Sequence, residues 1–458
     1  MVFQRRKYLG AATLLGLGLL AHLYGLYGMF AASTYACTAG LGLALAIMSW
    51  GERNLHPVTI LIFTSSLYFL AAPFDLISSN DFSYFNAYIT FNFMLPNMIF
   101  LATLLLFTPA IEDIKKFDRI DIGSALHLRN FSVVATLISV LIYFTVNIPQ
   151  FGFNLSVALN RGELQISLGA GGFFAEAAIA AFALLHALVY FRYGTRVSLL
   201  VISAVLAYCA YDVLILGDRR PAVGLVLGLI AIRAMERGFR FRLHYIPVVL
   251  SGALILQIWT FGRSIGVLGT LAGIVDGSFW QIFKIRYGET EFAAAALVLN
   301  QQWHDLQVDF MGSYRYLPVQ LVPNFLLNPL GIEQPDSPSL YFVKNYFPTV
   351  AAEGGAFGYN IVLEAYQNFG ILGYVLVPAL LARVVGWLTR IMPISQSLFY
   401  ALFIATCGFL IRLDMSNLKA WVYSCLILFA TVRLYLSVVV SRQPSNATHR
   451  SLRGRTLL

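Results

Sequence analysis

The stretch EGGAFGYNIVLEAYQNFGILGYVLVPALLA at residues 353–382 decides how the chain is read. From residue 358 on it is an apolar run. A hydrocarbon core about 30 Å thick takes about 20 such residues as a helix. Before that run comes a glycine-rich approach, and within its first third sit Glu364, Tyr366, Gln367 and Asn368. A carboxylate at that depth is costly unless it meets water, a partner charge or a polar ligand. The segment is therefore read as a membrane span through which polar chemistry enters one end.

Similar apolar runs recur along the chain. Twelve spans are expected, at about 9–27, 32–50, 56–74, 88–110, 131–151, 172–191, 197–216, 221–235, 246–262, 358–382, 396–411 and 418–440. Of the 458 residues 59% are hydrophobic and 12% charged, about half the charged share of a soluble chain. Mean hydropathy is +0.73. A soluble enzyme is excluded, and the expected class is an all-α polytopic membrane protein of about 12 transmembrane helices. Residues 1–262 would carry nine of them, 263–357 one large loop with short helices, 358–440 the last three, and 441–458 a basic tail. The basic residues 1–8 and the run behind them look like a signal sequence. No small-residue site closes that run, so it is read as a retained first helix. Cys37, Cys209, Cys407 and Cys425 all lie in apolar runs, which indicates neither a disulfide framework nor a zinc site. No internal repeat is visible.

Lysine and arginine fix the expected orientation. With the N-terminus inside, about two-thirds of the 31 Lys and Arg fall on the cytoplasmic side, and most acidic residues fall on the other. The net charge of +9 is thus a topology signal and no nucleic-acid footprint. Both termini are expected to be cytoplasmic and the loop at 263–357 periplasmic. Within that loop, residues 289–310 read as an amphipathic helix, with Phe292, Ala296, Leu299, Trp303, Leu306 and Phe310 on one face. A loop this long is uncommon unless it is functional.

Several arginines sit at the outer ends of spans: Arg219 and Arg220 opening the eighth, Arg263 closing the ninth, Arg412 closing the eleventh beside Asp414. Arg161 lies in the outer loop before the sixth. Each could snorkel or pair locally. Converging, such guanidinium groups suit a pyrophosphate held without metal. Glu364 could pair with an arginine that merely joins helices, or serve as a general base. His304, the only histidine in an outer loop, and Asp414 are further base candidates. His186 is read as a buried, satisfied side chain. Gly370 and Gly373 are read as permitting close helix packing. No HExxH, GxSxG, CxxC or Walker-type motif occurs, and Gly16-Leu-Gly18 lies inside an apolar span without a strand before it.

The segment Glu364-x-Tyr366-x-Asn368-Phe-Gly370-x-x-Gly373, entered from a glycine-rich approach, resembles the corresponding motif of the Wzy-type O-antigen polymerases. These are oligosaccharide repeat-unit polymerases of bacterial inner membranes. Gly217-Asp-Arg219-Arg220-Pro, Arg263 before the large loop, and Arg412-Leu-Asp414 agree with that family's arginine-bearing positions. A second arginine stands where the family commonly has a small residue, so the motif leaves Arg219 and Arg220 as alternatives. The resemblance covers residues 215–420.

The resemblance implies a glycosyltransferase working at the periplasmic face with no metal and no cofactor. A growing glycan on undecaprenyl pyrophosphate would pass en bloc to the non-reducing end of a lipid-linked repeat unit. The implied partners are these lipid-linked oligosaccharides, the bilayer and a polysaccharide co-polymerase that sets chain length, with no nucleic acid. Glu364, Arg263 and Arg219 would be catalytic. Arg220, Arg412, Asp414, Arg161, His304, Tyr366 and Asn368 would bind pyrophosphate or glycan, and Trp280, Trp303, Tyr314 and Tyr316 could line the glycan track. The rival readings are an O-antigen ligase, which should be dominated by a loop histidine, and a flippase or exporter, which should carry charge deep in several spans.

Overall fold

The structure is a computed structural model. It describes residues 2–49, 56–66, 70, 94–109, 122–153, 170–216, 220–238, 272–273, 275–276, 308–322, 324–346, 348, 359–391, 396–408 and 415–441. Among these residues the architecture is entirely helical. The principal helices are α1 (Val2–Leu26), α2 (Phe30–Ser49), α3 (Pro57–Ser66), α4 (Met94–Phe107), α5 (Ile122–Phe151), α6 (Ala170–Tyr193), α7 (Leu199–Tyr211), α8 (Arg220–Glu236), α9 (Pro338–Tyr346), α10 (Ile361–Phe369), α11 (Gly373–Ile391), α12 (Gln396–Cys407) and α13 (Leu418–Ser441). Seven described stretches are long and apolar enough to cross a membrane, and α3, α4 and α12 are shorter apolar helices. The chain is a multi-pass α-helical membrane protein. The expected ninth span, at 246–262, the helix at 289–307 and the basic tail from 442 lie outside the described residues.

Two departures from the sequence reading matter. The span at 358–382 is broken into α10 and α11 by a single 3-10 turn, Gly370–Leu372. Residues 308–310, expected to end the amphipathic helix, are not helical and run into a turn.

α1 packs on α2 and α4, and α4 packs on α11. From there the neighbours run through α12 to α8 and α6, which holds α5 and α13; α7 lies on α5. Small residues set the closest approaches. A Cβ on Gly224 would stand 2.1 Å from the Ala405 carbonyl oxygen, and one on Gly228 would stand 3.1 Å from that of Ala401. The Gly-x-x-x-Gly face of α8 thus meets the Ala-x-x-x-Ala face of α12 backbone to backbone. Gly224→Ala is expected to cost about 1–3 kcal/mol, the usual price of overpacking. It should lower the thermal unfolding midpoint in detergent, whereas Gly42→Ala, with nothing within 4 Å of its Cβ, should leave the midpoint unchanged.

At one end of the bundle Lys7 Nζ donates to the Leu106 and Thr108 carbonyls at 2.8 and 3.2 Å, closing the C-terminus of α4. Nearby, the Arg383 guanidinium lies over the Phe107 ring at 5.5 Å. Arg192 forms a two-pronged pair with Glu236, both bonds at 2.9 Å. Arg237 donates to the Phe191 carbonyl at 2.8 Å, and Arg129 to that of Arg196 at 3.0 Å. Cations at helix C-termini are stabilised by the macrodipole. His186 at this end is buried between Ser132 Oγ at 3.0 Å and the Ser198 amide at 3.2 Å, as read from sequence. The opposite end carries Glu364, Asp309 and the turn that opens α13, together with Arg220, Arg315 and Lys419.

Candidate functional site around Glu364

Asn360 starts α10: its Oδ1 accepts from the Val362 and Leu363 amides at 2.8 and 3.3 Å, an N-cap that satisfies two free donors. The helix spans only Ile361–Phe369. Glu364 and Asn368, one turn apart, share a face, and both are 1% exposed. Two segments remote in sequence dock on that face. Glu364 Oε1 accepts from Ser313 Oγ at 2.9 Å, and Oε2 accepts from the Met415 amide at 2.7 Å. The carboxylate therefore closes the turn leading into α13, where negative charge is favoured. Asn368 Oδ1 accepts from the Ser313 and Tyr314 amides at 3.0 and 3.2 Å, and its Nδ2 donates to Ser313 Oγ at 2.8 Å. Ser313 is thus bound to both side chains at once.

The break after Phe369 is what brings the loop in. A helix C-terminus leaves its last carbonyls without intrahelical partners. The Asp309 amide donates to Gln367 O at 3.0 Å and the Met311 amide to Asn368 O at 3.1 Å. Holding that geometry puts Met311, a non-glycine residue, at φ 56°. Gly370 at φ 60°, ψ −148° occupies a region open essentially to glycine. A Cβ on Gly373 would lie 1.9 Å from the Ala365 carbonyl oxygen, so α11 starts against the backbone of α10. Gly373 serves close packing, but within one broken span and not between separate helices, whereas Gly370, whose Cβ would meet only Val308 at 4.0 Å, supplies the positive φ of the break. Irregular backbone of this kind survives at membrane depth only when protein or a wet cavity surrounds it.

Tyr366 points away from this cluster and stacks on Tyr374, with ring centroids 5.6 Å apart at 21°. Phe369 is met edge-on by Phe310 at 5.6 Å and at a tilt of 56° by Tyr314, also at 5.6 Å. The Tyr359 hydroxyl donates to Gln367 Oε1, and the Tyr423 hydroxyl donates to Leu321 O. The latter bond ties the loop to α13, whose Tyr423 also lies edge-on to Phe173 and Phe174 of α6 at 5.6 and 5.2 Å. A buried carboxylate hydrogen-bonded to a hydroxyl, where three chain segments meet, is an arrangement able to hold and pass a proton.

Of the residues singled out from sequence, Glu364 and Asn368 come together, Tyr366 lies on another face, and Arg220 opens α8 at the exposed surface. Arg161, Arg219, Arg263, His304, Arg412 and Asp414 lie outside the described residues, as do Trp280 and Trp303.

Sequence reasoning passed over Ser313 and the Met415 amide, and no local signal marks either. It also passed over Asp212, which a signal did mark: a carboxylate inside an apolar run. Asp212 is buried where α7 widens into a π-helical turn, Asp212–Leu216, and its Oδ1 accepts from the Tyr143 hydroxyl. Tyr208 lies edge-on to Tyr143 at 4.8 Å. Such turns recur at functional sites. No protein-family model, curated protein or solved structure matches this chain.

Proposed function

We propose that the protein is a glycosyltransferase that polymerises undecaprenyl-pyrophosphate-linked oligosaccharide repeat units into O-antigen or a related surface polysaccharide. The observation that carries this reading is the buried Glu364 carboxylate at a broken span, bonded to Ser313 and to the turn opening α13. The end of the bundle that carries Lys7, Arg192 and Arg237 faces the cytoplasm in this reading, following the distribution of lysine and arginine along the sequence. Glu364 then lies toward the periplasm of a bacterial inner membrane.

In the proposed reaction an acceptor hydroxyl attacks the anomeric carbon of the donor. The bond from that carbon to pyrophosphate breaks, its electron pair leaves with undecaprenyl pyrophosphate, and the hydroxyl proton passes to Glu364. Arg263, Arg412 and one of Arg219 and Arg220 hold the pyrophosphates, where donors placed in advance help most as charge develops. Arg161, Asp414, His304, Tyr366 and Asn368 contact pyrophosphate or glycan, and a co-polymerase sets chain length.

Deleting the gene in its host tests the reading. Lipid A core bearing a single repeat unit is the expected product; core with no glycan would assign a ligase instead, and an unchanged ladder would remove the reading. In the complemented strain, Arg263→Ala is expected to lower polymerisation by ~10²-fold or more, read as ladder length on a gel.

A further inference from the structure

The loop that docks on α10 carries apolar side chains on its outer surface. Phe310 is 74% exposed, Ile371 75% and Leu372 74%. They form one patch: Phe310 lies against Phe369, and Val308 comes within 4.0 Å of where a Gly370 Cβ would be. The patch does not end at the turn. Leu372, Leu376, Leu380 and Val384 follow at intervals of four along α11, with Trp387 beyond, and all are exposed. Val377, Leu381 and Val385 on the other face are buried against the bundle. The exposed stripe is the lipid-facing side of a span, and the patch at 308–311 and 371–372 is its direct continuation. Polar groups border it: Asp309 and Arg315 lie 3.8 Å apart, and the Arg315 guanidinium sits over the Tyr316 ring at 4.8 Å. A charged and aromatic rim above an apolar surface matches the level of lipid headgroups.

We propose that the side chains of Val308, Phe310 and Met311 dip into the bilayer interface beside the outer end of α11, with the backbone of the turn and the Asp309 carboxylate at headgroup level and the Phe310 ring reaching the first part of the acyl chains. The hydrogen-bonded cluster of Glu364, Ser313 and Asn368 then sits at the membrane interface, bounded on one side by lipid. Large contiguous apolar patches mark binding surfaces, and the one surface already continuous with this patch is the bilayer. The proposal stands on membrane embedding alone and does not depend on the transferase reading.

The test uses the full-length protein in liposomes. Single nitroxide labels are placed by Phe310→Cys, by Leu380→Cys as the lipid-facing reference and by Glu333→Cys as the aqueous one. Cys209, the one native cysteine that is not buried, is replaced by serine. Accessibility to oxygen relative to a water-soluble nickel chelate reports depth. At 310 this ratio is expected to exceed that at 333 several-fold and to lie below that at 380, which is deeper in the span. A ratio at 310 like that at 333 overturns the proposal, and so does protection of 310 from both reagents, which would mean that protein covers it. Ile371→Cys serves as a second label site if labelling at 310 disturbs the fold, with the same outcomes.

Discussion

Glu364→Ala is expected to cut chain extension by ~10²-fold or more and to lower the thermal midpoint as well. The alanine leaves the Ser313 hydroxyl and the Met415 amide without their buried acceptor, at about 1–3 kcal/mol for each stranded group. Loss of activity alone would therefore not separate a chemical role from a structural one. Glu364→Gln does. Its amide oxygen can accept from Met415, and its amide nitrogen can donate to Ser313 Oγ, so the three segments stay joined while the charge disappears. If the carboxylate takes the acceptor's proton, the glutamine variant keeps the wild-type midpoint and is as inactive as the alanine variant. If the carboxylate only joins chain segments, the glutamine variant polymerises normally. Ladder length and thermal unfolding in detergent, measured on both variants, decide between the two.

Gly373→Ala is expected to have the second-largest effect. The atoms that crowd its Cβ are the Ala365 oxygen at 1.9 Å, the Ala365 carbonyl carbon at 2.5 Å and the Tyr366 nitrogen at 3.2 Å. All three belong to the backbone of α10, so no side chain can rotate to relieve the clash. The 3-10 turn has to open, and α10 then shifts relative to α11. Glu364 and Asn368 move with α10, away from Ser313 and Met415. Both activity and thermal stability should fall, while Gly16→Ala, which meets nothing within 4 Å, should change neither. A fully active, wild-type-stable Gly373→Ala protein would mean that the break in this span does not set the geometry of the site.

The spans were the legible part of this chain, because a bilayer demands long apolar runs whatever their function. α1, α2, α5 and α6 follow directly from such runs. The broken span was half legible. Gly370 and Gly373 stood out, but a Gly-x-x-Gly spacing looks the same whether the small residues admit a second helix or let one span break and restart. The backbone angles at Gly370 distinguish the cases, and sequence does not carry them. Glu364 was conspicuous as a costly group in an apolar setting. Its partners were not, since Ser313 lies in a loop 51 residues away and Met415 contributes only a main-chain amide. Asp212 obeys the same rule as Glu364 and was open to the same reasoning. Phe310 continues the apolar spacing of the expected amphipathic helix yet stands in a turn, because the amides of Asp309 and Met311 are drawn to the free carbonyls of α10. Tertiary demand there outweighed local periodicity.

The most direct test of the central claim is reconstitution. A strain lacking the gene should accumulate lipid-linked single repeat units, which can be extracted and supplied to the purified protein in liposomes. Products of two or more repeat units on undecaprenyl pyrophosphate, formed by the wild-type protein and not by Glu364→Ala, are the expected result. Single repeat units left unchanged by folded wild-type protein would contradict the account.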